Sequence, residues 1–412
     1  MSDLSLPDTL TLELVPSRAA ALARMDAFLP RAGLFYVARR NHSLPGHRDV
    51  SCLSPYVRHR VLTEEELLCA VLQRHGPQAA EKFIQEVFWR TYWKGWLEMR
   101  PGVWADYRRG VAAAVDRVQT EAGLRRGWEE ACAGRTGIEG FDDWARELVA
   151  TGYMHNHARM WFASIWIFTL RLPWELGADF FLRHLLDGDA ASNTLSWRWV
   201  AGLHTQGKTY LARADNIAAF TGGRFRPDGL AHTAPPLPPD TPARRVGLPS
   251  GDDLRPGPTQ GLLLTEDDLS PGWLLDRGLA PVATAVVQAT AGRSPLVVSP
   301  KVGKFVAALT NDMVEREGGR LGPVTAVSDA RDIVSWARGA GLAEVVAPHV
   351  PVGPAADALV DLRDALAGSG VRLVRPVRDY DAAAWPHATH GFFRFRDAIP
   401  SLLEQVPGWR LI

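Results

Sequence analysis

The spacing of apolar and polar positions divides this chain into two textures. Before about residue 225, apolar residues recur every three or four positions, the interval that gathers them on one face of a helix. SRAAALARMDAFLP (17–30) reads as such a helix, with Ser17 as its N-cap and Pro30 at its end. A loop through Leu34, Phe35, Tyr36 and the basic pair Arg39–Arg40 should follow. TEEEL starts another helix at Thr63, and Glu66 three residues on would complete a capping box. EKFIQEVFWRTYWKGWLEM (81–99) is helical by its spacing and is broken at Pro101–Gly102. FDDWARELVATG (141–152) ends on Gly152, a residue suited to a left-handed C-cap. HNHARMWFASIWIFTL then places Asn156, Arg159 and Met160 on one face, and Pro173–Trp174 open a helix that stops at Asp187-Gly188-Asp189. In the next helix Asn193 and Trp197 share a face, while Trp199 is turned by roughly 200° from Trp197.

Beyond Phe225 the texture changes. RPDGLAHTAPPLPPDTPARRVGLPSGDDLRPGP is dense in proline and poor in large apolar residues, as a linker is. After it come short apolar runs: GLLLT (261–265), PLVVS (295–299), PVTAVS (323–328), AEVVAP (343–348) and VRLVRPV (371–377). Helical patterns such as VGKFVAALTNDMVEREGG and ARDIVSWARGAG lie between several of them, the alternation of a doubly wound parallel sheet. The expected fold is therefore α + α/β: a helical domain over 1–226, a Pro-rich linker over 227–259 and a Rossmann-like α/β domain over 260–412. No G-x-G-x-x-G follows the first strand, so the sheet itself announces no dinucleotide site. WPHATHGFFRFRDAIPSLLEQV should form a loop and a capped helix.

Composition narrows the function classes. The 46 basic and 46 acidic residues cancel, so no global basic field marks a nucleic-acid binder, although a local groove would not show in the total. Cys52, Cys69 and Cys132 have no metal-ligand spacing, and no metal is expected. MSDLSLPDTL lacks the features of a secretory leader and WFASIWIFTL is too short to span a bilayer, so the expectation is a cytoplasmic protein without membrane contact. Eleven of the fifteen tryptophans fall between Trp89 and Trp199. Within the apolar stretch Thr151–Trp199 stand Asn156, Arg159, Asp187, Asp189 and Asn193, which must be paired or hold a polar ligand, because burying them bare costs several kcal/mol. The hydroxyl-rich turn Ser51–Tyr56 suits a phosphate or a plain capped turn, and Glu86 with Arg90 suits either an i,i+4 ion pair or a site.

TGYMHNHARM followed by DGDAASNTLSWRW resembles the flavin-binding signature of the photolyase/cryptochrome family, and VSCLSPYVR, FIQEVFWRTYW and TGIEGFDDWAREL resemble its other motifs in order. The resemblance implies FAD folded within a helical bundle, with contacts at Tyr36, Ser51, Leu53, Ser54, Phe83, Arg90, Asn156, Arg159, Asp187, Asp189 and Asn193. Asn193 would face the flavin N5 and tune its reduced form. Trp197, Trp174 and Trp104 match the family's electron-transfer tryptophans, and Glu86, Trp89, Met160 and Trp199 match its cavity for a flipped-out pyrimidine dimer. The implied activity is blue-light-driven repair of cyclobutane pyrimidine dimers by electron transfer from reduced flavin, with damaged DNA as partner. The alternative is a cryptochrome-like photoreceptor with a signalling partner. Asn156 and Met160 stand where the (6-4) repair branch has histidines, and His157 stands where an arginine is usual in dimer repair. GLLLTEDDL resembles the family's first strand yet follows the helical half, which implies a circular permutation.

Overall fold

The computed structural model of the chain describes residues 12–239 and 241–408. The segment read as lacking a secretory leader, residues 1–10, lies outside them.

Helices fill the first half. Arg18–Phe28 starts where the Ser17 side chain accepts from the Ala20 N–H, and Glu64–Ala79 starts on a complete capping box between Thr63 and Glu66. The expected loop around Tyr36 is instead the short helix Leu34–Arg39, which buries Tyr36 against Phe28 and Phe83 at ring separations of 5.9 and 5.2 Å. Tertiary packing of one aromatic overrides a stretch with little periodicity of its own. Glu81–Glu98, Gly102–Thr120, Ala122–Cys132 and Phe141–Thr151 follow, the last closed by Gly152 in the left-handed region at φ 75°. Asn156–Ser164 continues through a π turn over Ile165–Thr169, and Trp174–His184, Ala190–Val200 and Ala214–Phe220 complete the set. Ala190–Val200 packs on both Glu81–Glu98 and Asn156–Ser164, and that three-helix junction carries the candidate site.

The proline-rich stretch has neither helix nor strand among its described residues, but it is docked onto the helices. The N–H groups of Ala231, Leu237 and Val246 donate to Thr169 Oγ1, Ala201 O and Met99 O at 3.0, 3.1 and 2.9 Å. It is a strap.

Beyond it lies a five-stranded, all-parallel sheet: β1 (Gln260–Thr265), β2 (Thr284–Val287), β3 (Val324–Val327), β4 (Glu344–Val346) and β5 (Arg372–Val374), in the order β3-β2-β1-β4-β5. Four of the five expected strands form. PLVVS does not: Val297 is 83% exposed and the run leads into the helix Pro300–Glu317 through the Ser299 N–H, which donates to Arg183 O. The second strand is TAVV, fully buried and flanked by small residues that muted its apolar signal. The final segment forms two short helices, Phe392–Arg396 and Ile399–Leu403, without the expected side-chain cap.

One continuous core joins the sheet to the helices. Leu262, Leu264 and Val286 face it together with Phe305 and Leu309, while Leu263, Ala285 and Val287 face a second core with Ile333 and Leu366. The alternation along β1 is the two-sided burial of a parallel strand. Between the C-terminal ends of β1 and β4, where open α/β sheets take ligands, the cavity measures only ≈ 10 Å³ and is lined by Arg60, Asp267, Asp268 and His349. That is space for a single water. Arg60 reaches it from the helical half and pairs with Asp381 at 2.7 Å and Glu64 at 3.2 Å, and Arg58 beside it pairs with Asp267. Charged side chains of one half thus fill the crevice of the other. Among the described residues no helix is long and apolar enough to cross a membrane, and no group of His, Cys, Asp or Glu is placed to hold a metal.

Candidate functional site

The Glu81–Glu98 helix supplies one wall. Phe83 is buried on Phe28 and Tyr36, and one turn on Glu86 pairs with Arg40 rather than with Arg90. The i,i+4 pair suggested by spacing does not form. Arg90 turns inward instead and donates to Asp189 Oδ2 at 3.3 Å and to the carbonyls of Val57 and Arg58 at 3.3 and 3.2 Å. Asp189 caps the Ala190–Val200 helix by accepting from the Ser192 N–H at 2.9 Å, and Lys94 and Arg58 approach the same carboxylate at 3.4 and 3.7 Å. Burial alone would raise the Asp189 carboxyl, but Lys94, Arg90 and Arg58 together hold it well below the usual range. Arg90 therefore sits behind the hydroxyl turn as part of a closed ion cluster. In that turn Ser51 Oγ accepts from the Leu53 N–H at 3.3 Å, Leu53 is buried and Ser54 is exposed.

The opposite wall is Asn156–Ser164 with the loop at Asp187. Arg159 donates to Asp187 Oδ2 at 2.8 Å and to Met154 O at 2.9 Å, so these two charges are paired with each other. Asp187 Oδ1 is buried and has no partner among the described residues. Asn156 is exposed at the start of the helix and Met160 is half-buried on its face. Asn193 comes from the third helix, nearly buried, with its Nδ2 donating to Ala178 O at 2.8 Å.

Arg40, Glu86 and Arg159 keep 28, 29 and 24% of their side-chain surface accessible. Yet burial is the largest influence on the last two: it raises the Glu86 carboxyl against the pull of Arg40, and it opposes the rise that Asp187 gives Arg159. These charged groups are half-buried and still reached by solvent. The orphaned Asp187 oxygen, the Asn193 amide, the hydroxyl turn and the Tyr36–Phe83 aromatic pair offer a polar-edged planar ligand both hydrogen bonds and apolar contact. The residues present fit a flavin nucleotide.

The tryptophans sort into two groups. Trp197 is 2% exposed and its ring lies so close to Gly177 that a Cβ there would stand 2.3 Å from it. Trp174 and Trp104 are bridged by Tyr107, at ring separations of 5.7 and 5.3 Å, and Trp104 Nε1 donates to Asp357 of the α/β half at 2.9 Å. Toward solvent, Trp89 stacks on Phe392 at 3.6 Å with 11° between the planes, and Trp199 stacks on Tyr210 at 5.8 Å. Sequence reading missed Tyr107, Phe392 and the partner of Glu86, Arg40. Arg40 was visible as half of a basic pair, whereas nothing local to Phe392 signals its approach to Trp89.

The family description "FAD binding domain of DNA photolyase" matches residues 83–229. A deoxyribodipyrimidine photo-lyase of Thermus thermophilus is 36% identical over 231 residues, 54% of this chain and 51% of that protein. One from Streptomyces griseus is 33% identical over 204 residues, 45% of this chain and 43% of that protein. The chain spans about half the length of the curated relatives it matches. Among solved structures, a bacterial class III photolyase of Agrobacterium tumefaciens is similar at 26% identity and a TM-score of 0.42, covering 50% of this chain and 43% of that one.

Proposed function

We propose that the chain belongs to the photolyase/cryptochrome family and that it repairs cyclobutane pyrimidine dimers in DNA with FAD and blue light. FAD is the cofactor of this domain, and when bound it supplies a light-driven one-electron transfer. Tyr36, Phe83, Asn156, Arg159, Asp187 and Asn193 would hold it, with the turn at Ser51, Leu53 and Ser54 offering hydroxyls and free amides. Arg90, held by Asp189, supports that turn from behind through the Val57 and Arg58 carbonyls. Arg159, paired with Asp187, would keep a fixed positive charge at the junction, and Asn193 would present an amide where a carboxylate would add repulsion to a reduced, anionic flavin. Trp197, Trp174 and Trp104 are the path we assign to the reducing electron, with Tyr107 between the outer two.

We take the three-helix junction as the cofactor recess; the observation that carries the reading is its unpartnered buried Asp187 oxygen together with two partly exposed indoles. Trp89 and Trp199 stand on neighbouring helices, each backed by another ring, and we assign the half-buried Glu86 and Met160 to the same lesion site. Aromatic platforms of this kind suit unstacked bases. The sheet follows the helices in the chain, and we read the family's two parts as circularly permuted, the docked strap being the new connection.

The test is a light-dependent repair assay. The photoreduced protein is given an oligonucleotide with one thymine dimer, illuminated with blue light, and the return of thymine absorbance is followed against a dark control. Restoration in light, abolished in Trp199→Ala, is expected; a bound, photoreducible flavin without repair would overturn the proposal. That second outcome fits a blue-light receptor. This reading draws support from the neutralised rim, where Arg213 is paired with Asp215 at 3.1 Å and His157 is engaged with Asn41 O at 2.9 Å.

A further inference from the structure

Cations around the recess fall into two groups. On one side each has a carboxylate of its own: Arg40 with Glu86, Arg39 with Asp49 at 2.9 Å, and Arg213 with Asp215. Beyond Trp89, along the outer part of its helix, the pattern reverses. Trp89, Trp93, Trp96 and Arg100, the last just past the helix end, follow at three- and four-residue intervals, a ridge about 16 Å long at 1.5 Å per residue on which Trp93 is buried and the other three are half-buried. The Arg100 guanidinium lies 4.3 Å over the Trp96 ring and donates to Thr389 O at 2.8 Å. No carboxylate is within ion-pair reach of it among the described residues. The Val246 N–H donates to Met99 O at 2.9 Å, which sets the exposed Arg245 of the strap beside Arg100. Two like charges are thus held together with no carboxylate partner among the described residues.

The α/β half adds to the same ridge. Phe392, stacked on Trp89, fixes the Phe392–Arg396 helix alongside it, and that helix turns Phe393 (72% exposed), Arg394 and Arg396 to solvent. Arg396 lies 5.4 Å over the Phe393 ring, and neither arginine has a carboxylate partner among the described residues. The exposed Phe393 beside these two arginines adds nothing to the core.

The geometry points to a track for the DNA backbone running from the lesion site along this ridge, with Arg100, Arg245, Arg394 and Arg396 binding phosphates and Phe393 taking an unstacked base. The inference rests on the repair reading above. DNA is favoured over an acidic protein because cations interleaved with an exposed ring match a charged strand carrying π-faces. The net charge of zero conceals the track, since the acids that balance these arginines lie elsewhere.

Duplexes with and without one thymine dimer, titrated by fluorescence anisotropy over a range of salt, test it. The triple variant R245Q/R394Q/R396Q should lower the slope of log K against log salt by roughly two to three and weaken damaged and undamaged DNA alike, by about tenfold or more. R100Q is measured separately, because Arg100 is half-buried; flavin content and thermal midpoint report folding. An unchanged slope in the folded triple variant, with dimer preference intact, overturns the track and leaves the repair reading standing. A slope that falls in the triple variant while the wild type shows no dimer preference keeps the track and overturns repair. Binding of poly-glutamate more tightly than DNA of equal charge overturns the DNA occupant.

Discussion

At the scale of single residues the site depends on close approaches that leave no spare volume. Gly177 is the sharpest: a methyl there would lie 2.3 Å from one Trp197 ring atom and 2.9 Å from the Trp166 ring. Gly177→Ala should therefore cost about 1–3 kcal/mol, the range for overpacking, and displace Trp197. Denaturant unfolding measures the loss; a stability equal to wild type would show that Trp197 is free to move. Helix spacing made the Asn193–Trp197 face and the Asn156–Arg159–Met160 face legible, because an i,i+3/i+4 relation is fixed by backbone geometry alone. Phe392 on Trp89, Arg40 on Glu86 and Asp357 on Trp104 were not legible, since each joins segments that only tertiary folding brings together. Arg90 shows the converse. Its spacing from Glu86 was right for a pair, and the deeper attraction of Asp189 and two carbonyls won.

At the scale of elements, what the sequence revealed depended on how strongly each segment declares its own ends. The Glu64–Ala79 helix does so fully: Thr63 accepts from the Glu66 N–H at 3.2 Å, and Glu66 accepts from the Thr63 N–H at 2.9 Å. Thr63→Ala should cost about 0.5–2 kcal/mol. The loss is expected toward the upper end, because Glu66 also holds Arg18 of the first helix. A thermal midpoint indistinguishable from wild type would contradict that. The second strand was misread for the opposite reason. PLVVS carries the larger apolar side chains, but TAVV lies between β1 and β3 and is covered on both faces, so burial decided and local hydrophobicity did not. The strap, read as a loose linker, is pinned by hydrogen bonds to backbone and Thr169, partners that composition does not reveal.

At the scale of the whole molecule, the two halves share one apolar core and a buried charge cluster, so neither should unfold alone. Arg60→Met, which strands Asp381 and takes one of two arginine partners from Glu64 and Asp268, should cost about 3–5 kcal/mol, as removal of one partner from a buried pair does. Far-ultraviolet circular dichroism and flavin fluorescence should still report one coincident transition in the wild type, and separated transitions would show that the halves are independent. Acid should act in two stages. Burial pushes His155 down to about 3 and His184 and His204 down to about 4, each with further repulsion from nearby cations or histidines. Their native pKa values lie below the unfolded value of about 6.5, so as pH falls from there to about 4 the unfolded chain takes up protons that the native state refuses. Stability is then lost at up to about 1.4 kcal/mol per pH unit for each histidine. Glu64, which Arg60 and Arg90 hold at about 2 against the upward push of burial, works in the next window: its contribution is complete above about pH 4.3 and disappears as pH falls toward 2. Urea midpoints measured across this range should begin to fall near pH 6.5. His204→Phe, which keeps a ring against Trp93 and Trp96, should make the first stage shallower and leave the second unchanged. A midpoint that stays level from neutral pH to about 4.5 would mean that these histidines protonate in the folded protein, and that water reaches them despite the aromatic rings packed against them.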